Sequence, residues 1–248
     1  MLGLGNSITG GAALETTPAD ISGLQIWYKN ATGLTGDPVS QWDDSSGNGR
    51  HAAQGDSDLQ GSVSDGGIDF SDAVPQDFYT ITESTGYVDM GGSNAFTLSV
   101  VMTRQCAVGD DVTVLGGASG NAHIMFLDEE TVRFRTTGTG GDATESQNFP
   151  TDTWAVNQKM VFTMTKDTSG DFLFWKNGVS VSPGNITNES NTGPEFDAIY
   201  LGTKSDGTHD SNDYQFDGIM FEFVLYNTQL TGGDLSALNS YLTGKFSL

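Results

Sequence analysis

Catalysis needs titratable or nucleophilic side chains at workable spacing, and this sequence offers few. The histidines His51, His123 and His209 stand far apart, and none belongs to an H-x-x-x-H pair. His51 follows a turn and His209 sits in an acidic loop, and both read as solvated, whereas His123 reads as a strand residue with its hydrogen bonds satisfied. Cys106 is the only cysteine, which excludes an intrachain disulfide and a thiolate–zinc cluster. It ends the alternating stretch Phe96–Cys106 and reads as a small buried residue. Gly116-Gly117-Ala118-Ser119-Gly120 lacks the lysine and the following helix of a phosphate-binding loop. Sugar hydrolysis requires two carboxylates roughly 5 to 10 Å apart across the bond to be broken. Asp128-Glu129-Glu130 lies between Phe126-Leu127 and Thr131, where a hairpin turn is expected, and Glu222 has no carboxylate two residues away on its strand. The expectation is a protein that is not an enzyme.

Calcium is the one metal left open. It takes six to eight oxygens, mainly from carboxylates and carbonyls. Asp43 and Asp44 supply such oxygens in one loop, and Asp206, Asp210 and Asp213 supply them in another. Neither loop has EF-hand spacing, and the competing reading is a set of solvated loop acids. No motif requires another cofactor.

The charge balance narrows the partners. Against 32 acidic residues stand 10 lysines and arginines, a formal net charge of −22. Nucleic acid requires a basic footprint, and an anionic bilayer repels such a surface, so neither is an expected partner. The acids are scattered along the chain, as on a solvated surface. Met1–Asn6 lacks the basic start of a signal peptide, and no stretch reaches the roughly 20 apolar residues of a membrane span.

The positioning elements read as strands. Leu24–Tyr28 is a short apolar strand. Phe96, Leu98, Val100 and Met102 alternate onto one face, as do Val132 and Phe134, and Met160, Phe162 and Met164. Ile219, Phe221, Phe223 and Leu225 are expected to share a face in the same way. Asn177-Gly178 between Phe172–Lys176 and Val179–Val181 is a hairpin signal, because both turn residues must take positive φ. One helix is expected near Leu235, Leu238, Tyr241 and Leu242, opened by Thr231–Asp234 and ended by Gly244. With 33 glycines, many strands and no βαβ alternation, the fold class is all-β: an antiparallel sandwich.

Residues 1–20 are expected to form an extended arm and residues 21–248 the sandwich domain. The arm has no charge before Glu15, and Leu2, Leu4, Ile8 and Leu14 are its apolar residues. It is either a frayed terminus or an anchor that docks on a partner.

Several segments resemble the laminin-G-like, concanavalin A-like jelly-roll family, in the family's order. They are Leu24–Tyr28, the W-x-D-x-S-G-N-G turn from Trp42 to Gly49, His51-Ala52-Ala53, the strand Phe96–Thr103 and the long hairpin Trp154–Val181 with its Asn177-Gly178-Val179. Ile199–Gly202, Phe216–Ile219 and Val224–Asn227 complete the set. The resemblance implies a jelly-roll sandwich with a short C-terminal helix, and for some relatives one calcium ion at the rim. Met1–Ser7 ahead of such a domain is similar to virion proteins of marine tailed phages. That likeness implies a non-enzymatic structural component of a viral particle, a capsid decoration or fibre protein. It would be made in the host cytoplasm and form a homo-oligomer against a major capsid protein or sister subunits. The alternative is a carbohydrate-binding or adhesion module with glycan partners. The positions of Trp27, Trp42, Trp154 and Trp175, in expected core or hairpin places, count against that alternative.

Overall fold

The computed structural model describes residues 16–70, 76–83, 88, 95–105, 111–117, 123–136, 143–182, 198–204 and 215–248. The arm residues Leu2, Leu4, Ile8 and Leu14 lie outside the described residues, as do Cys106, His209, Asp206, Asp210 and Asp213.

The strands in chain order are β1 Leu24–Tyr28, β2 Leu34–Thr35, β3 Gln41–Trp42, β4 Ala52–Ala53, β5 Ser62–Ser64 and β6 Gly67–Phe70. There follow β7 Tyr79–Ile81, β8 Phe96–Arg104, β9 Val112–Gly117, β10 His123–Phe126, β11 Thr131–Thr136 and β12 Ala143–Asn148. The last are β13 Lys159–Lys166, β14 Phe172–Lys176, β15 Val179–Val181, β16 Ala198–Leu201 and β17 Gly218–Tyr226, before the helix α1 Gly232–Phe246.

They build two antiparallel sheets. The first runs β15-β14-β13-β8-β17-β6-β5, with β1 also paired to β17. The second runs β12-β11-β10-β9-β16-β7-β4-β3-β2. The alternating residues meet between the sheets: Leu98, Val100, Met102, Met160, Phe162 and Met164 face Ile124, Phe126, Val132 and Phe134 in one buried cluster. Trp42 and Trp154 are fully buried in it, and the Trp42 ring stacks on Tyr28 at 5.5 Å.

The central strands of the first sheet, β8, β13 and β17, are buried on both faces. α1 lies across the outer face and closes a second cluster of Trp27, Val101, Val161, Phe221, Val224 and Tyr226 with Leu235, Leu238 and Leu242. The molecule is therefore layered sheet, sheet, helix. α1 runs past Gly244 to Phe246 and is capped by Ser247 in the left-handed region at φ 56°, so the expected stop at Gly244 is displaced. The 3-10 turn Pro18–Asp20 also rests on this layer: Tyr226 Oη donates to the Pro18 carbonyl at 3.0 Å.

β17 departs from its expected phase. Met220 pairs with Met102 but Glu222 pairs with Val101, so Phe221 is an extra residue in the ladder. The bulge flips the alternation. Met220, Phe223 and Leu225 enter the inter-sheet core, while Ile219 and Phe221 turn to the helix side. Gly218 sits where β17 crosses tightly against β8; a Cβ there would lie 2.0 Å from the Thr103 carbonyl oxygen. The hairpin is as the sequence requires, with Asn177 at φ 51°, Gly178 at φ 76° and Lys176 opposite Val179.

Candidate functional site

Asp43, Asp44, Asp128 and Glu222 each have a structural task. Asp44 accepts from the Trp27 and Ser46 amides at 2.9 Å, from the Arg50 amide at 3.1 Å and from the Ser46 hydroxyl at 2.6 Å. The turn from Trp42 to Gly49 folds around this one carboxylate and is tied through it to β1. Asp43 accepts from Gln41 Nε2 at 2.6 Å and lies 3.2 Å from His51 Nδ1. His51 Nδ1 in turn accepts from the Asp44 amide, so His51 takes part in the turn and is not merely solvated. Asp128 caps the β10–β11 turn by accepting from the Glu130 and Thr131 amides at 2.8 and 2.6 Å. Among the described residues, no group of three or more His, Cys, Asp and Glu side chains is gathered as metal ligands.

Glu222 sits at 0 % exposure under the helix. It accepts from Trp27 Nε1 at 2.8 Å and pairs with the Lys245 ammonium on the last turn of α1. A buried carboxylate is tolerated when it is paired and hydrogen-bonded, and this one joins β1, β17 and α1.

His123 is 3 % exposed on β10, and neither ring nitrogen has a hydrogen-bond partner among the described residues, whereas the sequence suggests a satisfied histidine. Burial, followed by the charges of Arg133, Arg135 and Lys204, pulls its pKa down to about 3. The imidazole is neutral at physiological pH.

The concavity with binding chemistry lies elsewhere, between α1 and the β14–β15 hairpin. It holds about 390 Å³, within the roughly 300–1,000 Å³ of small-ligand sites. The hairpin contributes Trp175, Asn177, Gly178 and Val179. The helix contributes Ser236, Asn239, Ser240 and Thr243 beside Leu235. These helix positions recur at i, i+3, i+4 and i+7, which places them on one flank. The hairpin turn comes within contact range of that flank: a Cβ on Gly178 would lie 3.6 Å from the Asn239 Cβ.

Trp175 is the half-buried tryptophan. Trp27, Trp42 and Trp154 are 5 %, 0 % and 0 % exposed, whereas Trp175 packs one flank on the second cluster and lines the groove. Its indole N–H donates to no protein atom among the described residues. Beside it Leu173 and Val179 are exposed at 47 % and 68 %. Among the described residues, no charged side chain lines the groove. The site thus offers an apolar ring, exposed apolar neighbours and neutral hydroxyls and amides.

The profile of the concanavalin A-like lectin/glucanases superfamily matches residues 77–236. The chain belongs to this superfamily. No curated protein matches it by sequence. Among solved structures, the fold of this superfamily member is similar to the binding domain of Paraclostridial mosquitocidal protein 1, with a TM-score of 0.62, 14 % identity and coverage of 91 % of this chain and 53 % of that one. It is similar to the binding domain of botulinum neurotoxin DC in complex with rat synaptotagmin II, at TM-score 0.61, 14 % identity and coverage of 91 % and 52 %. The Trypanosoma rangeli sialidase gives TM-score 0.55, 16 % identity and coverage of 91 % and 33 %. The chain spans between a third and about half of these proteins, and the likeness is one of fold.

By sequence Trp175 counts among the core or hairpin tryptophans, whereas the structure places it on the groove. The available signal was the polar series Ser236, Asn239, Ser240 and Thr243 interleaved with Leu235, Leu238 and Leu242. It looks like an ordinary solvated helix flank until the hairpin is placed beside it.

Proposed function

We propose that this chain is a non-catalytic carbohydrate-binding module, and that the groove between α1 and the β14–β15 hairpin is its binding site. The observation that carries the reading is Trp175, partly exposed beside a row of neutral hydroxyl and amide groups. A sugar presents C–H surface and hydroxyls together; an aromatic ring takes the first, and short polar side chains take the second. Membership of a superfamily named for lectins and glucanases supports the class of ligand. A binding role is supported over hydrolysis because Glu222 is held by Trp27 and Lys245, and Asp128 is held by turn amides. The test is binding to an array of oligosaccharides and polysaccharides. Trp175→Ala should weaken binding at least about tenfold, or ~1.4 kcal/mol, while circular dichroism and the melting curve keep the parent's shape. Retention of full affinity by Trp175→Ala, or no binding by the parent to any glycan, would overturn the reading.

A structural role in a viral particle is the second reading, and the sequence from residue 1 to 20 favours it. Leu2, Leu4, Ile8 and Leu14 precede any strong charge in a chain of net charge −22. Burial of such side chains on a capsid protein or sister subunit yields about 25 cal/mol per Å² of apolar area. Deleting residues 1–15 should abolish incorporation into particles and spare the melting temperature, because the contact from Tyr226 to Pro18 is kept. Equal incorporation of both forms would remove the anchor.

A further inference from the structure

The polar wall of the groove is organised from beneath. Ser99 on β8 pairs directly with Thr163 on β13, on the sheet face that α1 covers. Their hydroxyl oxygens are 2.9 Å apart, and Thr163 Oγ1 donates to Asn239 Oδ1 at 3.0 Å. Thr163 has one hydroxyl proton, and it goes to Asn239; Ser99 is therefore the donor of the first pair. The chain of donors runs Ser99 to Thr163 to Asn239 and ends on the amide oxygen. The opposite amide orientation would leave one of the two hydroxyl protons without an acceptor in this chain, in a place where an unmade hydrogen bond is costly.

The result is an oriented amide. Asn239 is only 6 % exposed, its oxygen is committed inward, and its residue lines the groove. Its NH₂ group has no protein acceptor among the described residues. Together with the Trp175 ring, it leaves an amide donor and an apolar flank in a groove where no described residue contributes a charged side chain. Donors with no cation ask for a neutral acceptor such as a hydroxyl or ring oxygen. The field of a protein at net charge −22 opposes the approach of an anion.

We infer that the groove takes an uncharged saccharide, and that Asn239 is its hydrogen-bonding determinant, with Thr163 and Ser99 as positioning residues. This rests on the carbohydrate-binding reading and adds to it the class of sugar and the residue that reads it. Carboxylated and sialylated glycans are disfavoured, because their charge would meet no cation among the described groove residues and a repulsive surface around it.

The experiment uses the full chain and a panel of immobilised neutral oligosaccharides beside uronic-acid and sialylated counterparts, read by surface plasmon resonance at low and high salt. Neutral glycans should bind with little salt dependence. Asn239→Asp keeps the acceptor for Thr163 but removes the NH₂ donors and should weaken binding by about tenfold or more, the factor that corresponds to one good hydrogen bond. Thr163→Val releases the amide and should weaken binding several-fold, whereas Thr163→Ser restores the hydroxyl and should restore the affinity. That rescue separates positioning from mere packing, since valine fills the threonine volume and serine does not. Parent-like affinity in either Asn239→Asp or Thr163→Val overturns the assignment of Asn239. A preference for anionic glycans that is lost in Trp175→Ala overturns the neutral class and leaves the carbohydrate reading standing. Failure of the parent to bind any glycan overturns both.

Discussion

Lys245→Met tests whether α1 is locked onto the sandwich by a buried charge. The substitution keeps the apolar stem and removes the ammonium from Glu222, which is 0 % exposed and whose other close donor is Trp27 Nε1 at 2.8 Å. The next donor, the Asn30 amide, is 3.4 Å away. Removing one partner of a buried pair costs about 3–5 kcal/mol, because the other charge is left without compensation. Lys245 itself is 25 % exposed, so water reaches the vacated end of the pair, and the lower figure of ~3 kcal/mol applies. In a domain of this size each kcal/mol moves the melting temperature by about 2–4 °C, so a fall of about 6–12 °C is expected. Glu222→Gln is expected to cost less, about 1–2 kcal/mol, because Lys245 then turns to solvent. The double variant should be more stable than the sum of the two singles implies, with a coupling of about 1–3 kcal/mol. The assay is urea unfolding of all four proteins followed by tryptophan fluorescence. A Lys245→Met variant that unfolds like the parent, or a cycle with no coupling, would show that the pair contributes nothing and that the apolar underside of α1 alone holds the helix.

Two further outcomes are expected. His123 has a folded pKa of about 3 against an ordinary value of 6.5, so below pH 6.5 the unfolded chain takes up a proton that the folded chain refuses. The stability present above pH 6.5 is therefore lost as pH falls, by up to about 1.4 kcal/mol per pH unit; His123→Leu should lose less stability than the parent between pH 6.5 and 5 in parallel denaturation curves, and equal slopes would contradict the burial. Asn177→Pro combined with Gly178→Val removes the two positive-φ residues of the β14–β15 turn, at φ 51° and 76°; soluble expression should be lost, and a double variant that melts like the parent would exclude the type I′ turn.

Much of this structure was legible in the sequence, for local reasons. Strict alternation marked the inward faces of β8, β11 and β13, since successive side chains on a strand point to opposite sides. Asn177-Gly178 marked its turn because few other pairs accept positive φ twice. The turn from Trp42 to Gly49 was legible through Asp44, whose carboxylate is satisfied by the amides of its own loop and of β1.

The site was not legible, because it is made of surfaces far apart in the chain. Nothing local tells β17 to carry its bulge at Phe221; the one-residue shift against β8 turns Ile219 and Phe221 to the helix side while Phe223 and Leu225 stay in the inter-sheet core. Nothing local puts Ser99, Thr163 and Asn239 in one hydrogen-bonded line, since these residues meet only when two neighbouring strands are covered by α1. The sequence by itself determined the fold class, the strand faces and the tight turns, each of which depends on residues a few positions apart. The tertiary structure alone decided that one tryptophan of four stays half-exposed beside an oriented amide, because that depends on where the last helix lands on the sheet.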